Sequence, residues 1–125
     1  MSVNPLGAYE EVAVATLSGR ELEATILNKA SAQLQRIKDS WGAHDFEAEL
    51  DQALKYNQQI WSFFQAELSS DENPLPVDIK KNLLTLSVFV DKRTFEIMAY
   101  PAPEKLDILI NINRNLAAGL LSNAG

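Results

Sequence analysis

The sequence predicts an all-α protein, a single-domain bundle of four longer helices with a short helix at the N-terminus. Three observations predict it. Apolar residues recur at every third or fourth position rather than every second one. The prolines, Pro5, Pro74, Pro76, Pro101 and Pro103, fall in clusters that punctuate these periodic stretches. Ser18 and Glu21 form an S-x-x-E capping box, in which the hydroxyl takes one free helical N–H and the carboxylate reaches back to the cap.

Taken in order, a short first helix follows Pro5, with Tyr9, Val12, Ala13, Thr16 and Leu17 on one side. The second starts at the capping box, carries the stripe Leu22, Ile26, Ala30, Leu34, Ile37 and Trp41, and ends near Gly42. Asp45 is placed to cap the third, whose stripe is Phe46, Leu50, Ala53, Leu54, Ile60, Trp61, Phe64 and Leu68 before the polar loop SSDENP. Pro76 suits the first position of the fourth helix, where a missing N–H leaves nothing unsatisfied. Its core-type stripe is Ile79, Leu83, Leu86, Val90 and Ile97. Pro103 opens the last helix in the same way, with Leu106, Leu109, Ile110, Leu116, Ala117 and Leu120 on one face until Gly119 and Gly125 loosen its end. No strand pattern, repeat, linker or low-complexity tract interrupts this order, so residues 1–125 read as one helical domain.

A chain of 125 residues is long enough for one core, burying roughly two thirds of the surface its unfolded form exposes. With 46% hydrophobic and 22% charged residues it has the composition of a folded globular protein rather than a disordered one. The net charge of −6 repels phosphate backbones and anionic lipid, which argues against nucleic acid as a direct partner. Cysteine is absent, which removes disulfides, thiolate nucleophiles and most zinc sites and agrees with a reducing compartment. The opening MSVNPLGAYEEVAVATLS lacks the basic start of a signal peptide, and no apolar run approaches the ~20 residues a membrane span needs. The expected location is cytoplasmic, without membrane insertion.

A search for chemistry returns nothing assembled, so no catalytic, cofactor-binding or metal-binding residue is expected. His44, the single histidine, stands in a connection without a second ligand at helical spacing. Glu47 and Asp51 are four apart, but Lys55 follows at the next such step, which makes a salt-bridged solvated face. No phosphate-binding glycine loop, nucleophile elbow or H-E-x-x-H occurs. The pairs Lys80–Lys81 and Lys92–Arg93 are too little charge for a nucleic-acid footprint and read as a solvated face.

Two features stand out instead. Asn57 falls inside the apolar stripe of the third helix and Asn113 inside that of the last, and a buried amide costs ~1–3 kcal/mol unless paired. Each therefore either finds a partner in the fold or belongs to a site. The fourth helix also carries a second apolar stripe, Val77, Leu84, Val88 and Phe95, roughly 160° from the first. Either the helix is central, its back covered by the N-terminal helix, or this stripe is a docking surface. Lys80, Lys81 and Lys92 flank it and would steer an acidic partner. Tyr56 and Phe63 lie outside the main stripe of their helix and are candidate interface anchors.

The segments SGRELEA at 18–24, LDQALKYNQQIW at 50–61, NPLPVDIKKNLLTLSVFVDKRT at 73–94 and LDILININRNLAAGL at 106–120 together resemble the FlaF family of bacterial flagellar biosynthesis regulators. Family members often have proline before R-E where this chain has Gly19, a change confined to the start of the helix. The matching polar positions are Asn57, Asn82, Arg93, Thr94, Asn113 and Arg114, fold-fixing or partner-contacting. The resemblance implies a protein that promotes flagellin synthesis and export, either by holding unpolymerised flagellin as a chaperone or adaptor or by acting on flagellin messenger RNA together with the regulator FlbT. It also brings in the nature of that partner, whose end segments are amphipathic and disordered until assembly. The family offers no catalytic residues. Surplus apolar surface on an acidic chain favours the adaptor, the basic pairs are the only support for the messenger-RNA route, and an unrecognised small enzyme has no positive feature.

Overall fold

A computed structural model describes residues 19–122 of the chain. Four α-helices run in order through them: α1 (Gly19–Asp39), α2 (Phe46–Ser69), α3 (Val77–Ala99) and α4 (Leu106–Ser122), with a short 3-10 turn (Pro103–Lys105) leading into α4. No strand occurs among the described residues. These are the second to fifth of the expected helices. The expected first helix, the Ser18 half of the capping box and Gly125 lie outside the described residues.

The centre of the fold is the antiparallel pair of α1 and α4. Small residues on the facing sides, Ala24, Ala30 and Ser31 on α1 and Ala117 on α4, are fully buried and let the two backbones approach closely. Leu27, Leu34, Leu106, Leu109 and Ile110 fill the seam between them. At one end Lys38 on α1 pairs with Asp107 on α4 at 2.6 Å. Helix α2 packs across α1, and α3 packs chiefly on α2.

Helix α2 is joined to α4 by polar atoms as well as by packing. The indole N–H of Trp61 donates to Asn113 Oδ1 at 2.9 Å, and Asn113 Nδ2 donates to Asn57 Oδ1 at 2.6 Å. Asn57 and Trp61 are four residues apart on one face of α2, so a single side chain of α4 meets both. All three are shut off from solvent. The two amides read from the sequence as intruders in apolar stripes are therefore each other's partner. The far N–H₂ of Asn57 has no hydrogen-bond partner among the described residues.

Several sequence expectations need correction. Asp45 does not cap α2: its backbone is left-handed, φ 63°, and its side chain makes no cap hydrogen bond. Helix α1 stops at Asp39, short of Gly42, because a run of turns from Ser40 to Asp45 intervenes, with Gly42 at φ 85°. Pro76 is the residue just before the first helical position rather than at it. Gly119 lies within α4, which continues to Ser122. In α1 the expected Leu22 and Ile26 are only half-buried, as is Trp41 in the turn beyond its end, while Ala24, Leu27 and Ser31 join the core.

The largest correction concerns α3. Its buried line runs through Ser87, Val90, Thr94 and Ile97, while Ile79 is exposed and Leu83 and Leu86 are half-buried. Ser87 and Thr94 can be buried because each satisfies its own hydroxyl on the helix, donating to Leu84 O and Val90 O at 2.7 Å. With the core line shifted this way, the second stripe lies roughly 120° around the helix, not 160°. It is a flank rather than a back.

The Asn113 relay sets an order of mutational effects. Asn113→Leu strands both the Trp61 indole N–H and Asn57 Oδ1, at about 1–3 kcal/mol for each buried group left unpaired. Asn57→Leu strands only Asn113 Nδ2 and removes an amide N–H₂ that lacks a partner in any case. Urea denaturation should therefore show Asn113→Leu as the more damaging of the two, and the reverse order would contradict the relay.

Candidate partner-binding site

One flank of α3 carries an exposed apolar line among the described residues. Val77 is 63% exposed, Val88 50% and Phe95 59%, three residues aligned along the helix at offsets of 11 and 7. Leu84, between Val77 and Val88 on the same stripe, is half-buried. Phe89 is also exposed on the outer side. Lys81 and Lys92 stand exposed beside the stripe, and Lys80 is half-buried. Nothing among the described residues covers this flank. The helix is held here because Asp91, between the stripe and the buried line, accepts from Gln65 Nε2 of α2 at 3.1 Å, while Val90, Thr94 and Ile97 anchor it to the core. Among the described residues α3 packs chiefly on one neighbour, α2; the N-terminal helix expected to cover its back lies outside them.

The other nominated residues do not join it. Tyr56 is half-buried against the core, with Lys29 Nζ 5.6 Å from its ring centre, so it is not an exposed anchor. Phe63 is 58% exposed, but it belongs to a groove at the end of the bundle. Among the polar positions, Asn57, Asn113 and Thr94 are core residues with the hydrogen bonds given above. Arg93 is half-buried, paired with Glu96 at 3.4 Å and 5.6 Å from the Phe89 ring centre. Asn82 and Arg114 are exposed.

The end groove is the feature that sequence reasoning missed. It opens between the start of α1, the end of α2, the 70–76 loop and the end of α4, with a volume of about 460 Å³. Leu22, Leu68, Leu75, Leu83, Leu116 and Leu120 supply its apolar walls. Each of these leucines but Leu75 reads as part of its own helix's stripe, and no one-dimensional period reveals that the helix ends leave space between them. Glu23 and Glu67 stand on its lining with Arg20. Burial holds the Glu23 carboxyl above its ordinary range, the Glu67 carboxylate pushes it further the same way, and the Arg20 guanidinium opposes both.

No arrangement for chemistry accompanies these surfaces. No group of three histidine, cysteine, aspartate or glutamate side chains able to hold a metal occurs among the described residues. His44 is an exposed loop residue 3.3 Å from Asp45, and Asp51 is tied to Lys55 at 2.8 Å on the solvent face of α2. Nor is any described helix long and apolar enough to cross a membrane.

What the fold and its surfaces define is an all-helical protein whose described residues leave apolar side chains exposed along α3 and around the end groove. The family model described as "Flagellar protein FlaF" matches residues 6–120, nearly the whole chain, and the chain belongs to that family. This is a flagellar-related protein, in a family not known for enzymatic activity. No curated protein and no solved structure matches the chain closely enough to add a relative.

The raised affinity of Glu23 for its proton has a measurable sign. A carboxyl that binds its proton more tightly folded than unfolded costs stability once ionised, so stability falls as pH rises from the unfolded carboxyl range through the raised folded value. Glu23→Gln should melt higher than the wild type at pH 7, and the difference should shrink as pH falls below about 4, where Glu23 is neutral in both states. A variant less stable than the wild type at pH 7 would mean that Glu23 is held by attraction rather than by burial and Glu67.

Proposed function

We propose that this FlaF protein promotes flagellin production and export by holding flagellin before assembly, as a cytoplasmic chaperone or adaptor without catalytic activity. The observation that carries the reading is the uncovered stripe of Val77, Val88 and Phe95 on α3, continued inward by the half-buried Leu84. An amphipathic segment that is disordered until it assembles needs an apolar groove or face to lie on, and a helix flank with apolar residues at helical spacing provides one. Each exposed anchor contributes ~1.5–3 kcal/mol on full burial. Ordering a disordered segment costs ~2–5 kcal/mol or more against this, which points to micromolar or weaker binding rather than a permanent complex. A reversible hold is what a protein that must release its cargo for export requires.

Lys81 and Lys92 stand beside the stripe and favour an acidic stretch of the partner, each exposed pair contributing under ~1 kcal/mol. The route through flagellin messenger RNA with FlbT finds less support. Arg93 is engaged by Glu96 and Phe89, and the remaining basic residues of α3 face a net charge of −6.

A charge placed in the stripe tests the proposal. Val88→Asp and Phe95→Asp alter exposed side chains and should keep the wild-type circular dichroism spectrum and melting behaviour. Each should weaken flagellin binding by about tenfold or more in a titration, since a buried unpaired carboxylate would replace an apolar anchor. Unchanged affinity in folded variants would remove α3 from the interface.

A further inference from the structure

The end groove has a different character from the α3 flank. It is concave and apolar, in the size range of pockets that bury a ligand rather than of faces that meet a flat surface. Its walls are helix ends lying side by side, so a short helix laid between them would complete the layer they leave open. Its charge is unbalanced. Glu23 and Glu67 bring two carboxylates to a lining whose cationic side chain is Arg20. Glu23 is half-buried, which weakens solvent screening of its carboxylate, and Glu67 stands exposed at the same lining, so a cation delivered among the leucines meets one partly shielded and one open carboxylate.

We propose that this groove is a docking site for an amphipathic helical segment of a partner protein that carries one arginine or lysine among its apolar anchors, the cation meeting Glu23 and Glu67. Charge complementarity selects this occupant over two others. The chain's own first 18 residues contain Glu10 and Glu11 and no lysine or arginine, so their side chains bring more negative charge to an acidic groove. A second copy docking through the same surface in a two-fold dimer would set these carboxylates against their own images. The α3 flank, beside Lys81 and Lys92, favours the opposite charge in its ligand, so the two surfaces suit different segments. The inference does not rest on the function proposed for α3.

The test uses the full chain and two fluorescein-labelled synthetic peptides, each a leucine-faced amphipathic helix, one with a single arginine among the leucines and its twin with glutamate there. Fluorescence anisotropy should show the arginine peptide binding about tenfold or more tightly than the twin. The double variant Glu23→Gln/Glu67→Gln, which removes charge without removing volume, should bring the two affinities together. Val88→Asp should leave the preference intact, which separates this site from the α3 flank. Equal binding of both peptides by the wild type, or a preference that survives the double variant, overturns the proposal. So does failure of the arginine peptide to bind the full chain, which would mean that the groove is filled by the chain's own residues or by a second copy, the two being told apart by sedimentation.

Discussion

Asn113 is where the helices of this fold come to agree. Its carboxamide accepts from Trp61 and donates to Asn57, both on α2, while its own helix lies against α1 across a seam of small residues. Apolar packing alone tolerates rotation and sliding of one helix on another, since leucines exchange contacts with leucines at little cost. A buried amide does not, because displacement by one position leaves donors and acceptors unpaired in a medium without water. The relay therefore fixes the register of α2 against α4. With α1, α2 and α4 committed to one another, α3 takes the side of α2, held by its buried line and by the Gln65–Asp91 contact.

Among the described residues that arrangement leaves two apolar surfaces uncovered. Helix α3 has apolar residues on more of its circumference than one neighbour can cover, so Val77, Val88 and Phe95 face outward. The start of α1 and the ends of α2 and α4 frame the other, a groove lined by their leucines. One is bordered by Lys81 and Lys92 and the other lined by Glu23 and Glu67.

Much of this was legible in the sequence, and the reasons differ by residue. The four helices were readable because their apolar residues keep a helical period over more than four turns and prolines mark the gaps. Asn57 and Asn113 were readable as buried because a helical wheel places them among leucine and tryptophan, although only the three-dimensional arrangement shows that each is the other's partner. Ser87 and Thr94 were not readable as core, since a hydroxyl that bonds its own helix behaves as apolar from outside while looking polar in a sequence. Ile79 misled in the opposite direction, an apolar residue on the first turn of a helix that begins beyond the packed centre. Asp45 had the composition of a cap and the left-handed backbone of a turn. The candidate site was half legible. The α3 stripe was evident from spacing, its exposure was not, and the end groove lies between the ends of different helices.

The account stands on the α3 flank being the surface that meets flagellin, and amide hydrogen exchange of the full chain with and without monomeric flagellin tests that claim most directly. Protection gained on binding should concentrate in residues 77–95, with the α1–α4 seam, already slow to exchange, unchanged. Protection that appears on the opposite side of the molecule while residues 77–95 exchange as before would contradict it.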